Sequence, residues 1–502
     1  MSTLTKQQLQ SYLWESANIL RGKIDSGDFK HYILGLLFFK RLSDVFDEEN
    51  QKLKESVGED LAKEKEMYAD VFFIPKGSHW SDVLSTSTNI GAKINDAFME
   101  VTRANSPKLD GILDKIDFND KDKLSDAAVN DLINHFNVQK LGNAQISGDM
   151  LGDAYEYLIA QFADDAGKKG GEFYTPHQVV ELLVEILDPE EGQSIYDPAC
   201  GSGGILVSAA NHIKEKGLDA NKLFLYGQES VYATYIICKM SMILHGYNDA
   251  KIERGDSFSE PKHLQGGALM KFDNVIANPP WNLDDWLHTT QTVGGKKKKI
   301  ELEDKYNRLV YGRPPASTAD WAWIQHMYAS LKDNGRIGVV MDNGVLFRGS
   351  AEAKIRKAFL ELDVVDAVIG LPGNLFANTG SPGCLLIMDK NKPADRKGKV
   401  LFIDASKDYL EGKAQNHLRD EDIAKTLATY KDYKTEERYC SVCDLAEIEE
   451  NDFNLNISRY VDTTEPEIPV IIEDVLNDLG ELENQREETN SKLNTYLKEL
   501  GF

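Results

Sequence analysis

A short apolar strand that runs directly into two prolines constrains this chain more than any other feature. Residues 271–277 (KFDNVIA) have the apolar, β-branched character of a central strand, and Pro279 and Pro280 then stop both helix and ladder formation. The residue before a proline is pushed into an extended conformation, so Asn278 is presented at the carboxyl edge of the strand. Open α/β sheets bind their ligands at that edge. The sequence therefore predicts a binding site at this turn.

The turn Asn278-Pro279-Pro280-Trp281 carries the acceptors that an exocyclic amine needs before it can react with a methyl donor. The Asn278 side-chain oxygen and the Pro279 carbonyl oxygen can each accept one hydrogen of an NH2 group, which favours a pyramidal nitrogen with a localised lone pair. Trp281 offers a flat face on which an extruded base can stack. An ordinary surface turn with a packed tryptophan explains the tetrapeptide alone equally well.

A second predicted strand leads into a glycine-rich turn that is typical of nucleotide-type sites. Residues 193–197 have strand character, and residues 205–216 have that of a helix. The turn between them lets the backbone approach a ligand closely and ends at a helix amino terminus. Asp197, just before this turn, suits a ligand with a cationic end better than one with phosphates. The residues of the turn proposed to contact the ligand are Gly201, Ser202, Gly203 and Gly204.

Two further predicted strands end in carboxylates. Glu229 follows the strand at 223–227 and can accept hydrogen bonds from ribose hydroxyl groups. Asp256, Ser257 and Phe258 follow the strand after it, where Asp256 can accept from an adenine amine while Phe258 packs against the ring. Each of these loops is by itself common in α/β proteins. Four successive strand ends with compatible groups favour one shared nucleoside site.

Three segments carry a resemblance to a known family. They are 171–176 (GEFYTP), 197–204 (DPACGSGG) and 278–281 (NPPW). Together they closely resemble the S-adenosylmethionine-dependent N6-adenine DNA methyltransferases, above all the modification subunit of type I restriction-modification systems. The resemblance extends over nearly the whole chain. It implies an α/β fold with a Rossmann-like methyltransferase sheet, S-adenosyl-L-methionine as the cofactor, and residues 278–281 as the catalytic turn.

The resemblance also implies roles for individual residues. Cofactor contacts are implied for Tyr174, Thr175, Pro176, Asp197, Gly201 and Gly203, with ribose binding by Glu229 and adenine binding by Asp256. The usual last aromatic residue of the catalytic motif in this subfamily is phenylalanine, so Trp281 is a departure that should preserve stacking and alter pocket volume. Phe376 is implied to line the target-base pocket. An ordinary core phenylalanine at a turn is the competing interpretation.

The hydrophobic pattern divides the chain into three predicted parts. They are a helical N-terminal domain at 1–165, an α/β domain at 166–465 and a C-terminal helix at 466–502. The resemblance implies that the second part is the S-adenosylmethionine-dependent methyltransferase domain and that the third is a helix for partner docking. Apolar residues at helical spacing predict helices at 7–20, 32–46 and 147–162 in the first part. Alternating strand and helix patterns in the second part favour a largely parallel sheet with helices on both faces.

The net charge of −25 is unusual for a protein that binds DNA, because phosphate contacts favour basic surfaces. It favours either a local concentration of positive charge or a partner that makes most of the contacts with the duplex. A local candidate is the run Lys296-Lys297-Lys298-Lys299, in a polar stretch without clear periodicity that is predicted to be a loop. It either clamps the target strand or is an ordinary solvated charge run.

The C-terminal segment has one apolar edge. Apolar residues recur at spacings of three and four from Ile472 to Leu500, interrupted at Arg486 and Thr489. Such a helix either folds back on its own domain or docks on a partner. The resemblance implies docking on a DNA-specificity subunit, and the negative charge of the chain favours this second interpretation.

The sequence carries no amino-terminal signal pattern and no apolar run long enough to span a bilayer, so we expect a cytoplasmic enzyme without membrane contact. The five cysteines form no evident disulfide framework. Cys440 and Cys443 lack a second ligand pair, and no metal site is predicted.

These observations together predict methyl transfer from S-adenosylmethionine to the N6 of a flipped adenine in a duplex site whose sequence another subunit recognises. The implied partners are double-stranded DNA, the DNA-specificity subunit and a restriction (nuclease/translocase) subunit, with two copies of this chain per complex. A stand-alone adenine methylase of DNA or RNA and a protein-glutamine methylase are alternatives, because each presents a planar nitrogen with two hydrogens. A catalytically silent scaffold is a third.

Overall fold

The computed structural model describes residues 4–21, 26–86, 88–166, 175–286, 288–293, 296–301, 303–376, 379–413, 415–464 and 472–502. Contacts within the chain separate two compact units, Met1–Val461 and Asp462–Phe502. The domain boundaries at 165 and 465 stay a prediction. Tyr174, predicted to contact the cofactor, lies outside the described residues.

Helices and strands of the described residues alternate through most of the chain. The α-helices are α1 (Lys6–Leu20), α2 (Ser26–Val57), α3 (Trp80–Leu84), α4 (Ile90–Ala104), α5 (Asp126–Asn137), α6 (Gly148–Ala166), α7 (His177–Leu187), α8 (Gly204–Glu215), α9 (Tyr232–Leu244), α10 (Asp320–Ala329), α11 (Ser350–Glu361), α12 (Asp420–Asp432), α13 (Leu445–Glu450) and α14 (Ile472–Glu499). The strands are β1 (Ser194–Asp197), β2 (Phe224–Glu229), β3 (Lys251–Arg254), β4 (Leu264–Gln265), β5 (Ala268–Leu269), β6 (Phe272–Ala277), β7 (His288–Val293), β8 (Lys296–Glu301), β9 (Leu331–Asp342), β10 (Val365–Gly370), β11 (Gly383–Asp389), β12 (Lys399–Asp404) and β13 (Cys440–Asp444).

The N-terminal helices pack around one hydrophobic core. Helix α1 begins at a capping box, in which the Gln8 backbone N–H donates to the Thr5 hydroxyl and the Thr5 N–H donates to the Gln8 side chain. Its apolar face, which includes Leu9 and Leu13, is buried. Helix α9 of the catalytic region contributes to the same core through Ile236, Ile237, Met240 and Leu244. The helical region is therefore built directly onto a helix that also flanks the sheet.

The main sheet of the described residues has nine strands in the order β13-β12-β10-β11-β9-β6-β1-β2-β3. From β9 to β3 all neighbouring strands are parallel. Their carboxyl ends therefore lie at one edge of the sheet, and helices cover the sheet. The predicted Rossmann-like α/β fold is confirmed.

The other half of the sheet departs from the prediction of a largely parallel sheet. Strand β11 is antiparallel to both β9 and β10, and β13 is antiparallel to β12. Parallel neighbours need a long crossover, usually a helix, between them. The described residues between β10 and β11 contain no helix, so the chain returns in the opposite direction.

The prediction of a loop at Lys296 to Lys299 is wrong. Strands β7 and β8 pair antiparallel as a two-stranded hairpin, and the four lysines lie on β8. Side chains alternate between the two faces of a strand, so Lys298 and Lys299 lie on opposite faces, whereas the side chains of Lys296 and Lys297 lie outside the described part of the chain. A run of identical residues has no periodicity from which a strand can be predicted.

Helix α14 forms most of the second unit, Asp462–Phe502. It spans Ile472–Glu499, and none of its side chains is buried. Several of its apolar residues, including Leu479, Leu482 and Leu493, are more than half exposed. Among the described residues, none of the helices combines the length and the apolar character needed to span a bilayer.

Candidate active site

The carboxyl ends of β6, β1, β2 and β3 border one cavity of about 260 Å³. Neighbouring parallel strands place their ends side by side, so four turns that are distant in sequence meet there. The residues predicted from sequence that line this cavity are Gly201, Ser202, Glu229, Asp256, Ser257, Asn278 and Pro280.

The glycine-rich turn after β1 depends on two left-handed backbone conformations. Gly201 has φ +52°, and a Cβ built on it meets no atom within 4 Å. Gly203 has φ +91°, and a Cβ there would lie 2.9 Å from both Cys238 Sγ and Met242 Cε. Glycine at 203 therefore allows the turn to pack on α9, whereas glycine at 201 keeps the backbone open to a ligand.

Glu229 at the end of β2 is tied to the glycine-rich turn. Its Oε2 accepts from the Gly201 N–H at 3.1 Å, and its Oε1 accepts from the Val231 N–H at 2.6 Å. Burial raises the pKa of Glu229, while these backbone donors act in the opposite direction. A carboxylate has about four acceptor sites, so further acceptors face the cavity for hydroxyl donors of a ligand.

The loop after β3 is held by Asp256 and Ser257. Asp256 Oδ1 accepts from the N–H groups of Phe258 at 3.0 Å and Ser259 at 2.6 Å. The Ser257 hydroxyl donates to the Pro198 carbonyl oxygen at 2.6 Å, which joins this loop to the glycine-rich turn. Because Asp256 also lines the cavity, one carboxylate both shapes the loop and faces the ligand space.

Phe258 packs away from the cavity lining. Its ring centroid lies 4.2 Å from that of Trp323 and 5.2 Å from that of Trp286. Trp323, on α10, is the member of this cluster that lines the cavity. Packing of Phe258 against an adenine ring stays a prediction.

Asp197 carries a buried carboxylate oxygen without a partner. Its Oδ1 accepts from the Ala199 N–H at 2.9 Å, while its buried Oδ2 has no hydrogen bond in the described part of the chain. Burial raises the pKa of Asp197 to about 8, and the nearby Glu229 acts in the same direction. Leaving a buried acceptor unpaired is costly. A proton held at this raised pKa reduces the cost in the ligand-free protein, and a cationic ligand end nearby would favour the ionised form.

The amide of Asn278 is held from both sides. Its Nδ2 donates to the Thr175 hydroxyl at 2.8 Å, and its Oδ1 accepts from the Trp281 indole N–H at 3.0 Å. The indole nitrogen is only a donor, so the atom facing it must be the amide oxygen, and this determines the orientation of the amide. An amide oxygen has two lone pairs, so Oδ1 can still accept a second hydrogen.

The Trp281 ring packs on Phe376 rather than on the cavity. The two ring centroids lie 4.8 Å apart in an edge-to-face arrangement, and Phe376 is buried. A Cβ on Gly383 of β11 would lie 2.9 Å from Trp281 Cη2 and 3.1 Å from Phe376 Cε2, so glycine makes room for both rings. The roles of Trp281 and Phe376 toward a target base stay predictions.

A family model described as N-6 DNA Methylase matches residues 146–467, more than half of the chain. The chain belongs to the N6 DNA methylase family. A second model, described as the HsdM N-terminal domain, matches residues 9–136 of this methylase. The two models together account for both the sheet and the helical region that is built onto it.

Individual relatives of the methylase also match most of its length. The Type I restriction enzyme MjaVIII methylase subunit of Methanocaldococcus jannaschii is 35% identical over 99% of this chain and 85% of its own length. The HindI methylase subunit of Haemophilus influenzae is 34% identical over 76% of this chain and 84% of its own. The crystal structure of the type I restriction-modification system methyltransferase subunit from Streptococcus thermophilus has a TM-score of 0.78 and 33% identity, and covers 92% of this chain and 100% of that one.

These relatives confirm the predicted family, the methylase subunits of type I restriction enzymes, and the predicted enzyme class, an adenine-specific DNA methyltransferase. They do not favour an RNA methylase, a protein-glutamine methylase or a silent scaffold.

The other predicted residues of the methylase that the structure describes do not line this cavity. Thr175 and Gly204 line a small adjoining niche, and Pro176 lines a separate cavity near the start of α7. Pro279 is buried, and Lys298 and Lys299 are exposed on β8.

Several cavity residues were missed from the sequence. They are Ile159, Val231, Thr234, Ile237, Leu283 and Trp323. Most lie at helical spacing within apolar segments, where a residue facing a ligand has the same pattern as one facing the core.

Proposed function

We propose that this methylase binds S-adenosylmethionine in the cavity between the glycine-rich turn and Glu229, and uses the turn at Asn278 to methylate adenine N6 in DNA. The observation that carries the proposal is that Asn278, Gly201 and Glu229 line the same cavity. When bound, the cofactor supplies an electrophilic methyl group. No metal ligand set is needed for this chemistry.

The charges around the cavity support a cationic ligand. Glu229 and Asp256 line it, and the unpaired Oδ2 of Asp197 is buried next to Pro198 and Ala199, which also line it. Three acidic groups around one cavity disfavour phosphate groups, and a cationic ligand would favour the ionised form of each of them. The acceptors of Glu229 suit ribose hydroxyl groups, and Gly201 leaves room for the backbone to approach the ligand.

The turn supplies oriented acceptors for the target amine. The Asn278 Oδ1 and the Pro279 carbonyl oxygen each accept one amine hydrogen, so the nitrogen lone pair is directed toward the methyl donor. Because Thr175 and Trp281 hold the amide in place, little reorganisation is required when the amine arrives. The target base has to leave the duplex stack to reach this turn.

Substitution of Asn278 tests the proposed catalytic role. Asn278→Ala should lower methyl transfer to duplex DNA by about 100-fold or more, by analogy with removal of one oriented hydrogen-bonding group from other active sites. Affinity for S-adenosylmethionine, measured by calorimetry, should change little. Asn221→Ala, in an exposed short helix, is a matched control. Turnover of Asn278→Ala equal to that of the wild type would reject the role.

We also propose that the chain works as one subunit of a larger cytoplasmic enzyme, because its relatives are named as subunits of type I restriction enzymes. A DNA-specificity subunit would read the duplex sequence and bind helix α14, whose apolar side chains are exposed. The net charge of −25 supports an assembly in which a partner subunit makes most of the contacts with DNA phosphates. A restriction subunit and a second copy of this chain would complete the assembly.

Co-purification with the products of neighbouring genes tests this assembly. The native mass of the complex gives its stoichiometry, and mapping of N6-methyladenine in cellular DNA gives its recognition sequence. Recovery of the chain alone, together with methylation at unrelated sequences, would instead support a stand-alone enzyme.

A further inference from the structure

A niche of about 20 Å³ adjoins the cofactor cavity on the side of the glycine-rich turn. Ile159 and Ser202 line both spaces, so the niche is a side chamber of the cavity. A volume of this size holds one group as large as a water molecule or an ammonium ion. Its wall includes Glu156 of α6 and Thr175, the residue that holds the Asn278 amide.

Glu156 is the acidic residue of this wall. Its Oε1 is buried and forms no hydrogen bond with any described residue. The nearest ring nitrogen, His245 Nε2, lies 3.9 Å away, which is too long for a hydrogen bond. Burial lowers the pKa of His245 to about 4, so the imidazole is neutral near pH 7 and brings no compensating charge. Glu156 therefore has no hydrogen-bond partner at Oε1, and burial raises the pKa of its carboxyl to about 8. An ammonium group in the niche would favour the ionised form and supply the missing donor.

Other groups near the niche are compatible with a zwitterionic ligand end. Gly204 lines it and is the first residue of α8, and the unpaired N–H groups at a helix amino terminus attract a carboxylate. His177 also lines the niche, and its ring nitrogen Nδ1 lies 3.7 Å from Oε2 of Glu181 on the same helix. Glu156 thus offers the acceptor for an ammonium group close to donors for a carboxylate.

We propose that Glu156 binds the α-ammonium group at the methionine end of the methyl donor, inside this niche. The inference rests on the proposed function, since it requires S-adenosylmethionine in the adjoining cavity. It adds a cofactor-binding residue from the helical segment before the glycine-rich turn. Glu156 contributes no reacting atom, and its effect is on the affinity and placement of the donor.

A cycle of two proteins and two ligands tests the assignment. The ligands are S-adenosylhomocysteine and its deamino analogue, which lacks only the α-ammonium group, and the proteins are the full-length wild type and Glu156→Gln. Calorimetry should show that the wild type prefers S-adenosylhomocysteine by about tenfold or more, as expected for a charge-assisted hydrogen bond. In Glu156→Gln this preference should largely disappear, while affinity for the deamino analogue stays within about twofold.

Asp153→Asn is the matched control, because it removes a carboxylate one turn earlier on α6 that pairs with Lys6 at 2.7 Å. It should keep the wild-type preference. An unchanged preference in Glu156→Gln would overturn the inference. Loss of preference in Asp197→Asn alone would overturn it as well, because Asp197 would then be the ammonium acceptor.

The test separates this inference from the proposed function. A wild type that binds neither ligand would overturn both, whereas a wild type that binds both ligands equally would overturn only the inference. If Glu156→Gln does not fold, a crystal structure of the wild type with S-adenosylhomocysteine decides. An ammonium nitrogen within hydrogen-bond distance of Glu156 supports the assignment, and an ammonium nitrogen elsewhere overturns it.

Discussion

The indole nitrogen of Trp281 lies 3.0 Å from Oδ1 of Asn278 and 3.1 Å from the carbonyl oxygen of Val340. A single N–H therefore connects the proposed catalytic amide to strand β9, which runs beside the strand that carries the turn. Phenylalanine, the usual residue at this position in the family that the sequence resembles, cannot form this bond. In this chain the last residue of the motif orients the first.

Trp281→Phe should therefore lower the single-turnover rate of methyl transfer by about 3- to 10-fold, which corresponds to the loss of one hydrogen bond worth about 0.5–1.5 kcal/mol. Cofactor affinity should not change. Trp286→Phe is a matched control, because it removes another indole hydrogen bond, to the Pro315 carbonyl oxygen, away from Asn278. Equal rates for Trp281→Phe and the wild type would show that the bond does not position the amide.

Stability of the ligand-free protein should fall as the pH rises. The raised pKa of Asp197, about 8, means that the folded state holds a proton that the unfolded chain releases near pH 4. The stability that this group contributes is present below pH 4 and is lost as the pH rises through 8, at up to about 1.4 kcal/mol per pH unit.

Asp197→Asn should flatten this dependence in urea unfolding between pH 5 and 8. Burial also raises the pKa of Glu156 to about 8, so part of the slope should persist until Glu156→Gln is added. Parallel curves for the wild type and Asp197→Asn would contradict a buried, protonated Asp197.

Asp256→Ala should weaken cofactor binding by about tenfold or more and leave turnover at saturating cofactor much less affected. The substitution removes a cavity-lining carboxylate together with the acceptor for two backbone N–H groups of its own loop. Asp256→Asn keeps an acceptor for the loop and separates the two effects. An unchanged calorimetric affinity in Asp256→Ala would count against the assignment.

Helix α14 should contribute to assembly and not to the stability of the isolated chain. The double substitution Leu479→Glu with Leu493→Glu changes two side chains that are each 53% exposed, so the unfolding free energy should change by less than about 0.5 kcal/mol per site. Binding to the specificity subunit, measured by co-purification, should be lost. Glu487→Lys on the same helix should bind normally. Retention of binding by the double variant would exclude the apolar edge as the docking surface.

The lysine-bearing hairpin offers a test of DNA contact. Lys299 forms an ion pair with Asp285, whereas Lys298 is exposed. Substitution of Lys298 is therefore the more direct test of a phosphate contact. If Lys298 contacts a phosphate, Lys298→Glu in the assembled complex should weaken binding to all DNA sequences and reduce the salt slope of log affinity by about 0.9. Lys431→Glu, on α12, is the control. An unchanged salt slope would identify the run as a solvated charge cluster.

The sequence by itself determined the strand ends and the turns that follow them. An apolar run before two prolines and a glycine-rich turn before a helix are local patterns, because backbone geometry at Pro279 or Gly203 depends on the residue itself. The order of the parallel strands then places Asp197, Glu229, Asp256 and Asn278 at one edge of the sheet. The family resemblance carried the assignment from these turns to adenine methylation.

Only the tertiary structure decided what surrounds those residues. Thr175 accepts a hydrogen bond from Asn278, which lies 103 residues further along the chain. Trp323 lines the cavity from a helix whose apolar sequence is typical of a core helix. The antiparallel direction of β11 and the hairpin at the lysine run were missed for the same reason. Strand pairing and cavity lining are contacts between distant segments, and their free energy depends on partners that a local pattern does not contain.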